Sequence, residues 1–141
     1  MSISLIEKLA LKFSNKSLPK DEWTHQAHLQ VAFWFNWNHQ FDEALRIVRE
    51  LIISYNESVG TVNSNTSGYH ETLTVFWMII TRNFLTENKY TSVDKAYEDF
   101  QLSSYHLKDL PYQYYSHIVL FNEQARKEWE DGDIKRVLLI N

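Results

Sequence analysis

The sequence predicts an all-α fold, on three observations. Apolar side chains recur three and four residues apart through successive segments. Several of those segments open on residues that cap helix starts. Five Trp, eight Tyr and eight Phe among 141 residues supply buried area per ordered residue and argue against disorder. A chain of this length is expected to be one domain, 1–141, burying roughly two thirds of the surface it exposes unfolded.

Ser4-Leu5-Ile6-Glu7 forms a capping box, in which a hydroxyl and a carboxylate satisfy free amides at a helix start. Leu5, Ile6, Leu9, Ala10 and Phe13 follow on one face, so the first helix runs to about Phe13. Lys8, Lys12, Lys16 and Lys20 recur every four residues, but Pro19 breaks the helix that would align them, leaving a solvated face. The second helix spans Asp21 to about Asn38. It is apolar on nearly every side, with Trp23, Ala27, Val31 and Trp34 in one row and Leu29, Phe33 and Trp37 in another, which places it in the middle of a bundle. The third, Asp42 to Asn56, is amphipathic, with Leu45, Val48, Leu51, Ile52 and Tyr55 facing inward.

A polar loop from Glu57 to Gly68 holds two of the three glycines. The fourth helix starts near Gly68 and continues to about Leu85. Thr91-Ser92-Val93-Asp94 opens a fifth, with Val93, Ala96, Tyr97 and Phe100 on its inner face. From Ser103 to Phe121 the periodicity fails around Pro111 and Tyr112-Gln113-Tyr114-Tyr115, the mark of a covering loop or an irregular helix. Asn122 caps a sixth helix carrying Ala125 and Trp129, which Asp131-Gly132 ends. The tail from Ile134 to Ile140 is apolar enough to dock back on the body. The expected architecture is a bundle of five to six helices with an irregular, aromatic-rich segment before the last.

Composition narrows the chemistry. There is no cysteine, which removes disulfides, thiolate nucleophiles and thiolate metal ligands. A formal charge of −4 gives no general attraction to nucleic acid or anionic lipid. The start of the chain, Met1 to Lys8, lacks the pattern of a signal peptide, and the longest apolar run, Val75 to Ile80, is too short to cross a bilayer. A soluble, cytoplasmic protein is the expectation.

The residues that stand out are His25 and His28, three apart near the start of the second helix, and His70 beside Glu71 at the start of the fourth. Side chains three apart share a helix face and can approach one ion together. The short connection around His39 makes the second and third helices antiparallel, returning the end of the third to the start of the second. If the Glu57 to Gly68 loop stays at that end, the fourth helix begins there too. His25, His28, His70 and Glu71 then form a candidate site for zinc, iron, nickel or manganese, with an open position for hydrolytic or related small-molecule chemistry. Glu71 is alternatively an unligated catalytic base. Tyr55 and Asn56 reach the same end and can bind a ligand or orient an imidazole.

Two helix amino termini meeting also favour an anion, so a non-catalytic module binding an acidic metabolite through the histidines and Arg126 is an equal alternative. A helical interaction module, with surplus rings forming a homo-oligomer face, is a third. The expected partner is a small polar or anionic molecule. Other features are weaker. Glu22-Trp23-Thr24-His25 has the ExxH spacing of di-iron bundles without the second copy such sites need. His39, His106 and His117 stand alone near loops. Serines lack a Gly-x-Ser-x-Gly elbow. Arg126 and Trp129, three apart, suit cation–π packing.

His70-Glu71 resembles the adjacent His-Asp of the all-helical HD phosphohydrolases, with His28 and Asp94 or Asp99 as the partners that likeness implies. A broader resemblance rests on Glu22-Trp23-Thr24-His25-Gln26-Ala27-His28-Leu29, on Tyr55-Asn56 followed by Gly60, and on Gly68-Tyr69-His70-Glu71-Thr72-Leu73-Thr74. A looser match runs from Tyr114-Tyr115-Ser116 to Ala125-Arg126 and Trp129. These segments resemble a family of small, mainly bacterial proteins that has no secure activity, so the likeness implies no mechanism. Near Asp131-Gly132-Asp133 the chain departs from the Pro-Asp of that family. Within the shared segments Tyr69 joins Tyr55, Asn56 and Arg126 as a ligand-binding candidate.

Overall fold

Hydroxyl caps set several of the helix starts. In the computed structural model, which describes residues 4–140, the Ser4 hydroxyl accepts from the Glu7 amide at 3.2 Å and opens α1, Leu5–Ser14. The same hydroxyl donates to the Asp94 carboxylate at 2.8 Å, tying α1 to the start of α5, Val93–Gln101. α1 ends when Lys16 turns into the left-handed region, φ 64°, which takes Lys16 and Lys20 off the lysine stripe.

α2 runs from His25 to Asn38, later than the expected start at Asp21. Lys20–Glu22 form a separate 3₁₀ turn. The break arises because the Thr24 side chain accepts from the Ala27 amide at 3.2 Å and so caps a new helix. Trp23, freed from helical geometry, stacks on Phe13 with ring centroids 4.2 Å apart. α2 lies against α1, α3, α4 and α5, as its all-round apolar pattern requires.

α3, Phe41–Ser58, and α4, Glu71–Glu87, flank it. α4 starts three residues after Gly68, because His70 itself is the cap: its Nδ1 accepts from the Leu73 amide at 3.1 Å. Gly68 has φ +75°, and a Cβ there would collide with the Val62 carbonyl and the Asn63 side chain. Asn63 in turn accepts from the Tyr69 amide at 2.9 Å. The turn that delivers His70 is therefore built by its backbone conformation and by Asn63.

The irregular segment resolves into 3₁₀ turns at Ser104–His106 and Leu110–Gln113 and a short α6, His117–Leu120. Asn122 caps α7, Glu123–Lys127, through the Ala125 amide at 2.7 Å. α7 stops well before the expected Asp131-Gly132. Buried Thr72 donates to the Glu128 carbonyl at 3.0 Å and accepts from the Glu130 amide at 3.1 Å, which holds this stretch extended against α4. The tail does dock: Val137 is buried, and Asn83 of α4 bonds Leu138 O and Ile140 N, both at 2.8 Å.

Seven α-helices and no strand occur among the described residues, an all-α fold. Two apolar clusters lie on either side of α2, one where Phe33 meets Phe84, Tyr97 and Phe100 edge-on, the other around Phe13, Val31, Val48 and Tyr55, with Trp34 packed against both. Among the described residues no helix is long and apolar enough to cross a membrane.

Asn36, 2% exposed, is the polar fastener between α2 and α4. Its amide donates to Met78 O at 3.1 Å and to the Thr81 hydroxyl at 2.9 Å, and its oxygen accepts from Arg82 at 3.2 Å. Asn36→Ala strands these buried groups and is expected to lower unfolding free energy by about 2–3 kcal/mol in urea titrations.

Candidate functional site

The starts of α2 and α4, the end of α3 and the segment from Leu107 to Phe121 enclose a cavity of about 1020 Å³. α2 and its approach contribute Trp23, His25 and His28; α3 contributes Val48, Ile52 and Asn56; α4 and its approach contribute Tyr69, His70, Leu73 and Trp77. Leu107, Pro111, Tyr112, Leu120 and Phe121 form the roof, and exposed Lys108 and Asp109 mark its mouth. The walls are mainly apolar and rich in rings. The antiparallel α2–α3 hairpin and the loop that stays at its end do bring His25, His28, Asn56 and His70 to one cavity.

Each of the three imidazoles has one N–H committed to a backbone carbonyl. His25 Nε2 donates to His106 O at 2.8 Å, His28 Nδ1 to Thr24 O at 2.7 Å, and His70 Nε2 to Leu120 O at 2.7 Å. His28 also stacks on Trp23, centroids 3.7 Å apart, and His25 meets Trp77 edge-on at 4.9 Å. A neutral ring with one nitrogen donating keeps a lone pair on the other. For His25 Nδ1 and His28 Nε2 that lone pair has no protein partner among the described residues and remains accessible in the cavity wall. For His70 the second nitrogen is already used as the cap of α4, so both ring nitrogens are occupied.

Burial disfavours the charged form of all three rings. It pushes His28 down to about 4 against the backbone bond to Thr24, and lowers His25 and His70 against their own carbonyl bonds. The neutral form is favoured in all three.

Glu71 turns away from the histidines. Its carboxylate takes a bidentate pair from Arg49 of α3, at 2.9 and 2.6 Å, and a hydrogen bond from the Tyr69 hydroxyl. Burial pushes the carboxyl up, but the bonds from Arg49 and Tyr69 outweigh it and hold it below the usual carboxylate range. Burial and the bond to Glu71 push the Tyr69 phenol up. This cluster borders a separate, shallower cleft on the outer face with Arg126 and Lys127. The expected convergence of three imidazoles and a carboxylate is thus divided: His70 is spent as a cap, Glu71 as an ion-pair partner. No group of three or more metal-ligating side chains forms among the described residues.

Other candidates fall elsewhere. Tyr55 is fully buried and donates to Leu18 O at 2.7 Å, packing beside Phe13 away from the cavity. Arg126 holds the carbonyls of Gly68 and Tyr69 at 3.0 and 3.3 Å, bracing the turn before α4. Asp94 anchors α1, and Asp99 pairs with Lys95 and the Tyr90 hydroxyl, which leaves neither beside His70. His39 lies near Glu43, and His117 stacks on Tyr112. Residues the sequence did not single out are Trp77, Leu107 of the roof, and Lys108 and Asp109 at the mouth. The failure of periodicity around Pro111 was their one signal. No protein-family model, curated protein or solved structure matches the chain.

Two outcomes follow from the hydrogen bonding. Glu71→Gln breaks a half-buried bidentate pair and is expected to lower stability by about 1–2 kcal/mol, leaving occupancy of the cavity unchanged in a binding assay. The unfolded chain takes up protons on these histidines below about 6.5 while the folded form resists until lower pH, so stability falls as pH falls. For His28 the window runs from 6.5 down to about 4. Urea midpoints measured across that window are expected to drop, and to drop less in His28→Phe.

Proposed function

We propose that the protein is a non-catalytic binding module for a small, largely apolar organic molecule held between Trp23, Trp77 and the 107–121 roof. The observation that carries this reading is the cavity itself. At about 1020 Å³ with ring-rich walls and a few polar groups, it has the size and lining of small-molecule sites. The one cationic side chain bordering it among the described residues, Lys108, sits at the mouth beside Asp109. Arg126 serves the backbone, and the capping groups Thr24 and His70 already use the third amides of α2 and α4. That supports an apolar occupant over the acidic metabolite expected from two helix amino termini.

A second reading has one observation in its favour. A metal-bound histidine almost always directs its other N–H to a carbonyl or carboxylate, and His25 and His28 do so. Under it, a divalent zinc, iron, nickel or manganese ion sits on His25 Nδ1 and His28 Nε2 with its remaining donors supplied by a bound molecule.

Calorimetric titration with 2-methoxynaphthalene tests the first reading. Saturable uptake of one molecule per chain is expected, with quenching of Trp fluorescence. Thr61→Trp, which adds bulk in a half-exposed cavity residue, is expected to weaken uptake by about fivefold or more, on the order of 1 kcal/mol. Absence of saturable uptake both of this probe and of its hydroxyl analogue 2-naphthol, up to their solubility limits, removes the reading. Stoichiometric zinc or nickel uptake lost in both His25→Phe and His28→Phe would favour the second.

A further inference from the structure

Three features fix the chemistry of the cavity's polar corner. His28 has its N–H turned to Thr24 O and its ring clamped face-on against Trp23. His25 has its N–H turned outward to His106 O. Both therefore present an unprotonated nitrogen, and Asn56, whose amide donates to the Asn63 side chain at 2.9 Å, leaves its own oxygen as an acceptor on the same wall. These three side chains offer lone pairs, and Thr24, Thr61 and Lys108 supply donors in the rest of the lining. An occupant with only acceptors places its oxygen or nitrogen against these lone pairs without a proton between them, and an anion does worse. A group carrying O–H or N–H completes the bond.

We infer that the cavity selects an aromatic or alicyclic molecule bearing a neutral hydrogen-bond donor, of the phenol or indole class, whose O–H or N–H is received by His28 Nε2 with His25 Nδ1 beside it. This rests on the small-molecule reading above and names the class it takes. The apolar body lies against Leu73, Trp77 and the roof residues, where an aromatic ring gains edge contacts beyond its buried area. The neutral state of His28 supports the assignment, since a protonated ring would present a second donor instead.

The test compares 2-naphthol with 2-methoxynaphthalene by calorimetry at pH 7. The two share a ring system and an oxygen and differ in the donor. The methoxy compound is the more apolar, so partition alone favours it. The inference requires 2-naphthol to bind about fivefold to tenfold tighter to the native protein, the range of one neutral hydrogen bond. His28→Phe keeps a ring on Trp23 and removes the lone pair, and it should abolish that preference. His28→Gln restores an acceptor and should recover part of it, which also serves if the Phe variant does not fold. Uptake of both probes with the methoxy compound equal or tighter overturns the inference while leaving the binding reading intact. So does a 2-naphthol preference that survives in both His28 variants. Uptake of neither probe overturns the binding reading and this inference with it.

Discussion

Imidazole N–H groups bonded to backbone carbonyls hold this molecule's cavity together. Short turns between 107 and 119 satisfy many of their own carbonyls, but His106 O and Leu120 O at the two ends are taken up from outside the segment. His25, in the first turn of α2, takes up His106 O, and His70, at the start of α4, takes up Leu120 O. The roof is thereby fastened at both ends to the two helix starts beneath it. Each bond also fixes the tautomer of the ring that makes it, so the bond that supports the roof decides which nitrogen is left over. In His25 one bond both supports the roof and sets the free nitrogen, whereas in His28 the free nitrogen is set by the bond to Thr24 O.

The three rings divide the work by what their second nitrogen meets. In His70 it meets the Leu73 amide, and the ring becomes a structural bridge between α4 and the roof. In His25 and His28, both of which line the cavity, it has no hydrogen-bond partner among the described residues. Burial disfavours the charged form of all of them, so the polar corner accepts hydrogen bonds without carrying positive charge. The charged chemistry lies outside, where Arg49, Glu71 and Tyr69 join α3 to the turn before α4 and Arg126 braces the same turn. That separation leaves the inner walls to Trp23, Trp77, Leu73 and the roof rings.

Much of the fold was legible because its signals are local. Ser4, Ser92 and Asn122 cap helices through amides three residues on, a relation that sequence spacing carries directly. The meeting of His25, His28 and His70 followed from a short connection and an antiparallel hairpin. What sequence hid depends on distant partners. Arg49 lies on the outward side of an amphipathic helix and reads as a solvated cation, yet it captures Glu71 from 22 residues away. α7 stops early because buried Thr72 claims the backbone beyond it. An imidazole in place of the usual hydroxyl or carboxamide cap carries no familiar signal, which is why His70 read as a metal ligand. Tyr55 read as a ligand-binding residue because its phenol shares the cavity's end of α3; its partner, the Leu18 carbonyl, sits in a turn with no pattern of its own.

The ring tautomers decide the account, and long-range ¹H–¹⁵N correlation spectra of the three histidines at pH 7 report them directly. The account requires His25 and His70 to be protonated at Nε2 alone and His28 at Nδ1 alone, each as a single species. A His28 ring found as imidazolium, or exchanging between tautomers, would mean that no fixed lone pair faces the cavity and would contradict it.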